Sequence, residues 1–390
     1  MQRLSQSPTD PAFVQNPYPF YDRLRAAGDL TWWEDYALPC ATSHRAVHAL
    51  LRDKRFGREI PTEQAPDIPE HLAPFYKIEA HSMLELEPPR HTRLRSLVLR
   101  AFTTRRIQTL GPEIAQLSHN LIDAFPKGEV DLLPAFCQPI PVIVICRLLG
   151  VPESMADQLL RWSAAMVAMY QARRDRTIED AAATAATEFA DFLRGYIDQR
   201  RSQPAEDLIT QLIAAEEDGA RLSTDELITT CILLLNAGHE ATVHTMGNGI
   251  KTLLDTQTPI TPDTTEATTE EILRFDPPLH MFTRYAYENV DIFGHSFKRG
   301  DQVALLLGAA NRDPDLWPNP NSFDPTRQTK QNTSFGGGLH FCVGAPLARL
   351  ELQIALPILF NRCPNLAFTQ PPIYANLYHF HGLKHLKVKL

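Results

Sequence analysis

The stretch FGGGLHFCVGAPLARLELQIAL, from Phe335 to Leu356, holds a cysteine in an unusual setting. Gly336, Gly337 and Gly338 precede Cys342, and Gly344 follows it. Pro346 then opens a run with Leu347, Leu350, Ile354 and Ile358 at helical spacing. Proline fits the first turn of a helix, where its missing N–H costs nothing. Cys342 therefore falls at a loop-to-helix junction. A helix N-terminus favours negative charge and lowers a thiol's pKa. Glycines let a backbone approach a ligand closely. This combination suits a metal-bound thiolate whose electron release is tuned by backbone donors. The competing reading is a buried small hydrophobe.

Three further groupings carry chemistry by type and spacing. In EILR, Glu271 and Arg274 are i,i+3 neighbours on one helix face. Alone, such a pair is ordinarily a solvated surface ion pair of little worth. In PPRHTRLRSLV, His91 and Arg95 are i,i+4 and share a face. By themselves they read as the polar side of a helix. In LLLNAGHEATVHT, Gly238 costs a helix about 1 kcal/mol relative to alanine, and Glu240 follows an apolar run. Taken singly, packing would account for the glycine and a solvated helix end for the glutamate.

The elements that must position these groups are mostly helices. Helical spacing covers 17–27, 86–101, 107–124, 153–171, 178–201 and 205–216. Thr224 to about Leu254 reads as one long helix, and LITTCILLLNAG within it is apolar nearly all round, so it should be buried. Residues 266–275 form a short helix that stops before DPP. Strand signals are few. Residues 290–308 predict a hairpin turning at Gly294–His295, then another strand. The C-terminal GLKHLKVKL alternates and reads as an edge strand. Pro357 should kink or shorten the helix after Cys342. No repeat and no glycine/serine hinge divides the chain, so residues 1–390 read as one mainly helical domain with a small β portion.

Composition bounds the rest. A net charge of −8 over 390 residues excludes a nucleic-acid binder by overall charge. IPVIVIC and CILLL are far shorter than the ~20 apolar residues of a membrane span. The polar, proline-rich opening carries no secretory pattern, so a cytoplasmic protein without a membrane anchor is expected. Six cysteines without a CxxC pair favour thiols over disulfides.

FGGGLHFCVG resembles the haem-binding signature of the cytochrome P-450 family, with Phe335, Gly336, Gly338, His340, Cys342 and Gly344 on its fixed positions. NPYPFYDRLR, PRHTRLR, AGHEAT, EILR and GAANRDP fall in the family's order, so the resemblance to its bacterial members spans nearly the whole chain. It implies the P-450 fold and a haem b (iron protoporphyrin IX) whose axial ligand is Cys342. It also implies a structural pair, Glu271 and Arg274, tied to the loop before the cysteine. His91, Arg95, Arg284 and His340 match propionate partners, and Phe335 and Gly344 belong to the cofactor loop. Ala237, Gly238 and Glu240 match the oxygen groove, where an acid and an alcohol relay protons. Here Ala241 stands at the alcohol's position, and Thr242 follows, turned about 100° around the axis. Another departure is Ser322, where a basic residue is usual; Arg327 stands at the family's trailing arginine.

The implied activity is a haem-thiolate monooxygenase. It would insert one atom of O2 into a small to medium apolar substrate, by hydroxylation or O-demethylation. The implied pocket draws on the 163–182 region and the 376–380 turn, and on Leu235, Ala237, Met281, Phe282, Tyr378 and Phe380; several of these would serve equally as core. A peroxide-driven peroxygenase and a haem-based sensor without turnover are the alternatives, and the retained Glu240 argues against the first. The sequence carries no GxGxxG after a strand and no iron–sulfur cysteine run. Electrons from NAD(P)H would therefore arrive through a separate ferredoxin or flavodoxin with its reductase. Arg349, Arg100, Arg105 and Arg106 are candidate docking contacts, or simply surface charge.

Overall fold

Leu30–Trp33 and Leu38–Ala41 pair antiparallel, with Thr31 opposite Cys40, and begin the main sheet. The computed structural model describes residues 1–170, 174–217, 220–328, 331–378 and 380–390, in two units. The first comprises Met1–Gln64, Ala115–Cys137 and Ala241–Leu390; the second comprises Ala65–Ile114 and Gln138–Glu240. Gln171, Ala172 and Arg173 of the 163–182 region and His379 of the 376–380 turn lie outside the described residues.

In the first unit the sheet runs Arg3–Leu4, Leu30–Trp33, Leu38–Ala41, Gln302–Leu306, Met281–Ala286, Phe56–Gly57. Gln302–Leu306 pairs antiparallel with Met281–Ala286 and parallel with Leu38–Ala41. It is buried on both faces. Val303 and Leu305 pack with Val47, Leu50 and Phe297, while Ala304 and Leu306 pack with Phe13, Tyr21 and Trp33. That is why VALL is apolar throughout instead of alternating.

The expected hairpin is present, between Val290–Ile292 and His295–Phe297. Its turn is Phe293–Gly294, one residue earlier than predicted, with φ of 49° and 72°. Two positive φ values match the twist of the flanking strands. The C-terminal segment departs from expectation. Lys387–Lys389 is the middle of a three-stranded sheet, between Ala367–Phe368 and Glu129–Asp131, and not an edge. Val388 and Val130 pair and are both buried, which gives this strand an inner face.

The first unit's helices include Tyr18–Ala27, Thr265–Phe275 and Ala345–Arg362. The last passes through Pro357 and continues to Arg362, so the proline does not shorten it. Proline removes the bond to the carbonyl four residues back, here Gln353. The Thr265 hydroxyl donates to that carbonyl at 3.1 Å and replaces the lost bond.

The second unit holds Arg90–Ala101, Ala156–Val167, Arg176–Ser202 and Leu208–Ala214. The first starts later than predicted, after Pro88 and Pro89. The predicted 107–124 helix is two, Thr104–Thr109 and Gly111–Asp123, because Pro112 cannot donate back into a preceding turn. Pro139–Leu149 is a helix the periodicity did not reveal. The long helix is Thr224–Thr256, and the division between units falls within it, between Glu240 and Ala241.

Candidate active site

Five of the six cysteines are buried and Cys342 is half-buried; none forms a disulfide. Burial pushes the thiols of Cys40, Cys146 and Cys231 up to about 12, which keeps them protonated at neutral pH. The Cys342 loop is drawn tight by its own backbone. Gly336 N–H donates to Thr333 O at 2.8 Å, and Cys342 N–H donates to Phe335 O at 3.0 Å. Gly336 and Gly338 have φ of 68° and 65°. A Cβ on Gly338 would stand 2.4 Å from the Leu51 carbonyl, so only glycine fits there. The Cys342 sulfur lies 3.8 Å from where a Cβ of Gly344 would be, beside the start of the Ala345–Arg362 helix. That position favours a thiolate.

Behind the loop lies a buried ionic network. Arg274 and Glu271 are 1% and 4% exposed. Arg274 Nε donates to Glu271 Oε2 at 2.7 Å, and Nη2 donates to Oε1 at 2.6 Å. Its other N–H groups reach the carbonyls of Asn311, Pro320 and Ser322 at 3.0, 2.9 and 3.2 Å. Glu271 Oε1 also accepts from Arg327 Nε at 3.2 Å and from Asp324 N–H at 2.9 Å. Arg327 is thus the third ionic partner that the sequence left open. Ser322 contributes its carbonyl, which accepts from both arginines.

Asn311 links this network to the loop. Its carbonyl takes an Arg274 bond, and its Oδ1 accepts from Thr333 N–H at 2.7 Å and Thr333 Oγ1 at 2.9 Å. Its Nδ2 donates to Ser334 Oγ at 2.8 Å, and Ser334 Oγ donates to Leu273 O at 2.6 Å. Thr333 and Ser334 lead directly into Phe335. Arg349 is bound by both oxygens of Glu270 and stacks 4.6 Å over the Phe335 ring. Sequence reading offers Arg349 as a candidate docking contact or as surface charge and misses this role, since Glu270 is remote in the chain. Glu351, further along the same helix, is buried with no partner for Oε2, and burial pushes its carboxyl up to about 8.

The remaining first-unit candidates lie on nearby strands and turns. Arg284 is buried on Met281–Ala286, and Met281 and Phe282 on the same strand are half-buried. His340 ends the one-turn helix Gly338–His340. Phe380 bridges to Leu279, and the Tyr378 hydroxyl lies 2.8 Å from that of Tyr21. Tyr378 and Met281 also pack against the Trp33 core, while Phe282 packs against the Val47 core. Thr242 is buried. Thr245 returns its hydroxyl to the Ala241 carbonyl at 2.7 Å, a back-bond of the kind that bends helices.

In the second unit, His91 is buried and Arg95 half-buried, one turn apart on Arg90–Ala101. Leu235 is buried, whereas Ala237 is exposed. A Cβ on Gly238 would meet Ile145 at an ordinary 3.7 Å, so packing alone does not demand glycine. The Glu240 side chain is 26% exposed, and its Oε2 lies 3.3 Å from His239 Nε2. His239 is buried and its Nδ1 is 2.8 Å from Leu235 O. It escaped sequence reading because a histidine between a glycine and a glutamate carries no pattern of its own. Arg106 is committed to the carbonyls of Leu148 and Glu206, while Arg100 and Arg105 are exposed.

The first unit's donor set fits an iron macrocycle bearing carboxylates: a half-buried thiol over a glycine cradle, a buried guanidinium and an imidazole. The cytochrome P450 family model matches residues 263–371, the stretch that includes Glu271, Arg274, Arg284 and Cys342. Cytochrome P450 monooxygenase PikC of Streptomyces venezuelae is 38% identical over 373 residues, covering 92% of this chain and 87% of its own. The chain belongs to the cytochrome P450 family. The biotin biosynthesis cytochrome P450 of Bacillus subtilis aligns over 99% of both chains at 34% identity. The 6-deoxyerythronolide B hydroxylase of Saccharopolyspora erythraea is 35% identical over 90% of this chain and 89% of its own. A crystal structure of P450BioI, in complex with an acyl carrier protein ligated to hexadec-9Z-enoic acid, superposes with a TM-score of 0.92. That likeness is 34% identical and covers 97% of this chain and 99% of that one.

This P450 is an oxidoreductase that works through a haem iron and O2 on small organic molecules. Among the described residues, no helix is long and apolar enough to cross a membrane.

Proposed function

We propose that residues 1–390 form one haem-thiolate monooxygenase domain. It acts in the cytoplasm on a small to medium, largely apolar substrate, by hydroxylation or O-demethylation. Electrons come from NAD(P)H through a separate ferredoxin or flavodoxin and its reductase. The observation that carries the reading is Cys342, the one half-buried cysteine, on a loop that only glycine can build, in a chain of this family. Relatives that align with this chain nearly end to end support the single domain.

Each residue has a role in this reading. Cys342 binds the iron, and Phe335 and Gly344 shape its loop. His91, Arg95, Arg284 and His340 balance the propionates, since buried carboxylates need cationic or donor partners. Bound haem supplies O2 binding and O–O cleavage, favoured by electron density from a thiolate. Glu271 and Arg274 hold the frame. Leu235, Ala237, Met281, Phe282, Tyr378 and Phe380 line the substrate space. Arg100, Arg105, Arg106 and Arg349 are the candidate contacts for the electron donor, and of these Arg100 and Arg105 are exposed.

Proton delivery has to work without the usual alcohol. A general-acid route needs direct contact or one bridging water, and Ala241 offers neither donor nor acceptor. In this reading Glu240, whose Oε2 lies 3.3 Å from His239 Nε2, would hold an ordered water, with help from a polar substrate group. Gly238 leaves room on that helix, and Thr242, about 100° around a regular helix from Ala241, ranks last as a substitute.

Cys342→Ala protein should lose the strongly red-shifted ferrous–carbon monoxide band; retention of that band overturns the ligand assignment. Turnover should require the ferredoxin or flavodoxin pair. Product from peroxide alone would make the protein a peroxygenase, and product from neither would leave a sensor. Ala241→Thr should raise coupling of electrons to product most for substrates with no polar group. Uniform coupling, unchanged by Ala241→Thr, would remove the alcohol from the account.

A further inference from the structure

Apart from the cysteine loop, the first unit buries a second set of metal-binding side chains. Asp276 caps the Thr265–Phe275 helix, His280 follows shortly after, and His381 comes from the C-terminal turn. They are 4%, 0% and 8% exposed. One ligand atom from each lies within 4.8 Å of the other two, a grouping found nowhere else among the described residues. The two imidazole centroids are 4.5 Å apart, and His381 Nε2 is 3.4 Å from Asp276 Oδ1.

The surroundings orient these groups as outer partners orient metal ligands. Tyr18 donates its hydroxyl to Asp276 Oδ1 at 2.7 Å, and Tyr374 donates to Oδ2 at 2.5 Å. A carboxylate oxygen that accepts one such bond keeps a lone pair. The Tyr21 hydroxyl, 2.9 Å from His280 Nδ1, fixes that ring. His280 Nε2 is then the nitrogen left for a ligand, and it is buried with no partner. Asn248, which donates to the carbonyls of Asp276 and His381, also leaves its Oδ1 unpartnered. Buried polar atoms are ordinarily hydrogen-bonded, so the two left over here give the cluster an unmet demand for a guest.

We propose that Asp276, His280 and His381 bind a divalent transition ion of the zinc class. Two imidazoles and one carboxylate suit zinc, whereas magnesium and calcium prefer oxygen alone. Ligand bonds of about 2.0–2.2 Å draw the three atoms inward by roughly an ångström from their widest spacing. Burial pushes His381 down to about 3 and His280 well below its usual range. Both rings are therefore neutral at pH 7, the form that ligates a metal. Arg312, 3.4 Å from the Tyr18 ring, and Lys251, 5.6 Å from the Tyr374 ring, face the cluster. Their charge works against any cation there, so the two imidazole bonds and the carboxylate have to outweigh it. The bound ion staples the Glu271 helix end to the C-terminal turn, beside Met281 and Phe380.

Haem-loaded protein should be expressed with zinc, passed through chelator and subjected to elemental analysis. About one zinc per chain should remain beside the haem iron. Absorption at the zinc edge should show two imidazoles and oxygen at about 2.0–2.2 Å. His280→Ala and His381→Ala should each lower zinc to under about a tenth per chain with the carbon monoxide band intact. The wild-type protein decides the matter even if those variants fold poorly. Less than about a tenth of a zinc per haem, as isolated and after added zinc, overturns the proposal. So does zinc retained by both variants.

Discussion

Two clusters of buried charge adjoin in the chain, and they are built differently. Arg274 has five N–H donors, and all five find acceptors on Glu271 and three backbone carbonyls. The Asp276 cluster leaves His280 Nε2 and Asn248 Oδ1 without partners. A saturated ion network has nothing to offer a ligand and can only hold the frame; a network with orphan atoms has capacity left over. Glu351 shows a third arrangement: a lone buried acid that stays protonated instead of finding a partner.

The largest expected effect comes from opening the saturated cluster. Glu271→Ala strands a buried guanidinium, which costs about 3–5 kcal/mol. Haem-loaded protein should nearly vanish from expression cultures; a normal yield with full haem and only a slower rate would mean that the network is not structural. Next is the solitary acid. The Glu351 carboxyl is raised from 4.5 to about 8 in the folded protein. Between those values the unfolded chain gives up a proton that the folded one keeps. Stability should therefore fall by about 1.4 kcal/mol per pH unit as pH rises through this window. Denaturant midpoints of Glu351→Gln should lose that slope, and an unchanged slope would assign it to other groups.

Smaller effects grade the network's members. Arg327→Ala should cost about 1–2 kcal/mol, because Arg274 still neutralises Glu271. Thr265→Val leaves the Gln353 carbonyl without its donor and should lower stability by about 1 kcal/mol in denaturant melts. Ser322→Ala should stay within about 0.5 kcal/mol of wild type, since only its backbone is used. A larger loss there would give the hydroxyl a role that its contacts do not suggest.

What could be read from the chain follows the range of each interaction. Glu271 and Arg274 lie on one helix turn, and the cysteine loop carries its glycines beside it, so both were legible locally. Arg327, Asn311 and Thr265 act on partners far away in sequence, and no spacing rule points to them. The Pro139–Leu149 helix was hidden because a run apolar on all sides has no period. Leu30–Trp33 and Leu38–Ala41 were missed because four residues are too few to show alternation. Lys387–Lys389 was taken for an edge because its second neighbour, Glu129–Asp131, is only three residues long.

Asn311 has a practical consequence for engineering. One residue accepts from Arg274 through its carbonyl and sets the entry to the cysteine loop through its amide. The loop is consequently not a portable cassette. Transplanting residues 335–344 into another scaffold would carry the thiol and the glycines but leave their anchor behind. A working graft has to bring Asn311, Thr333 and Ser334 together with a helix that presents Arg274.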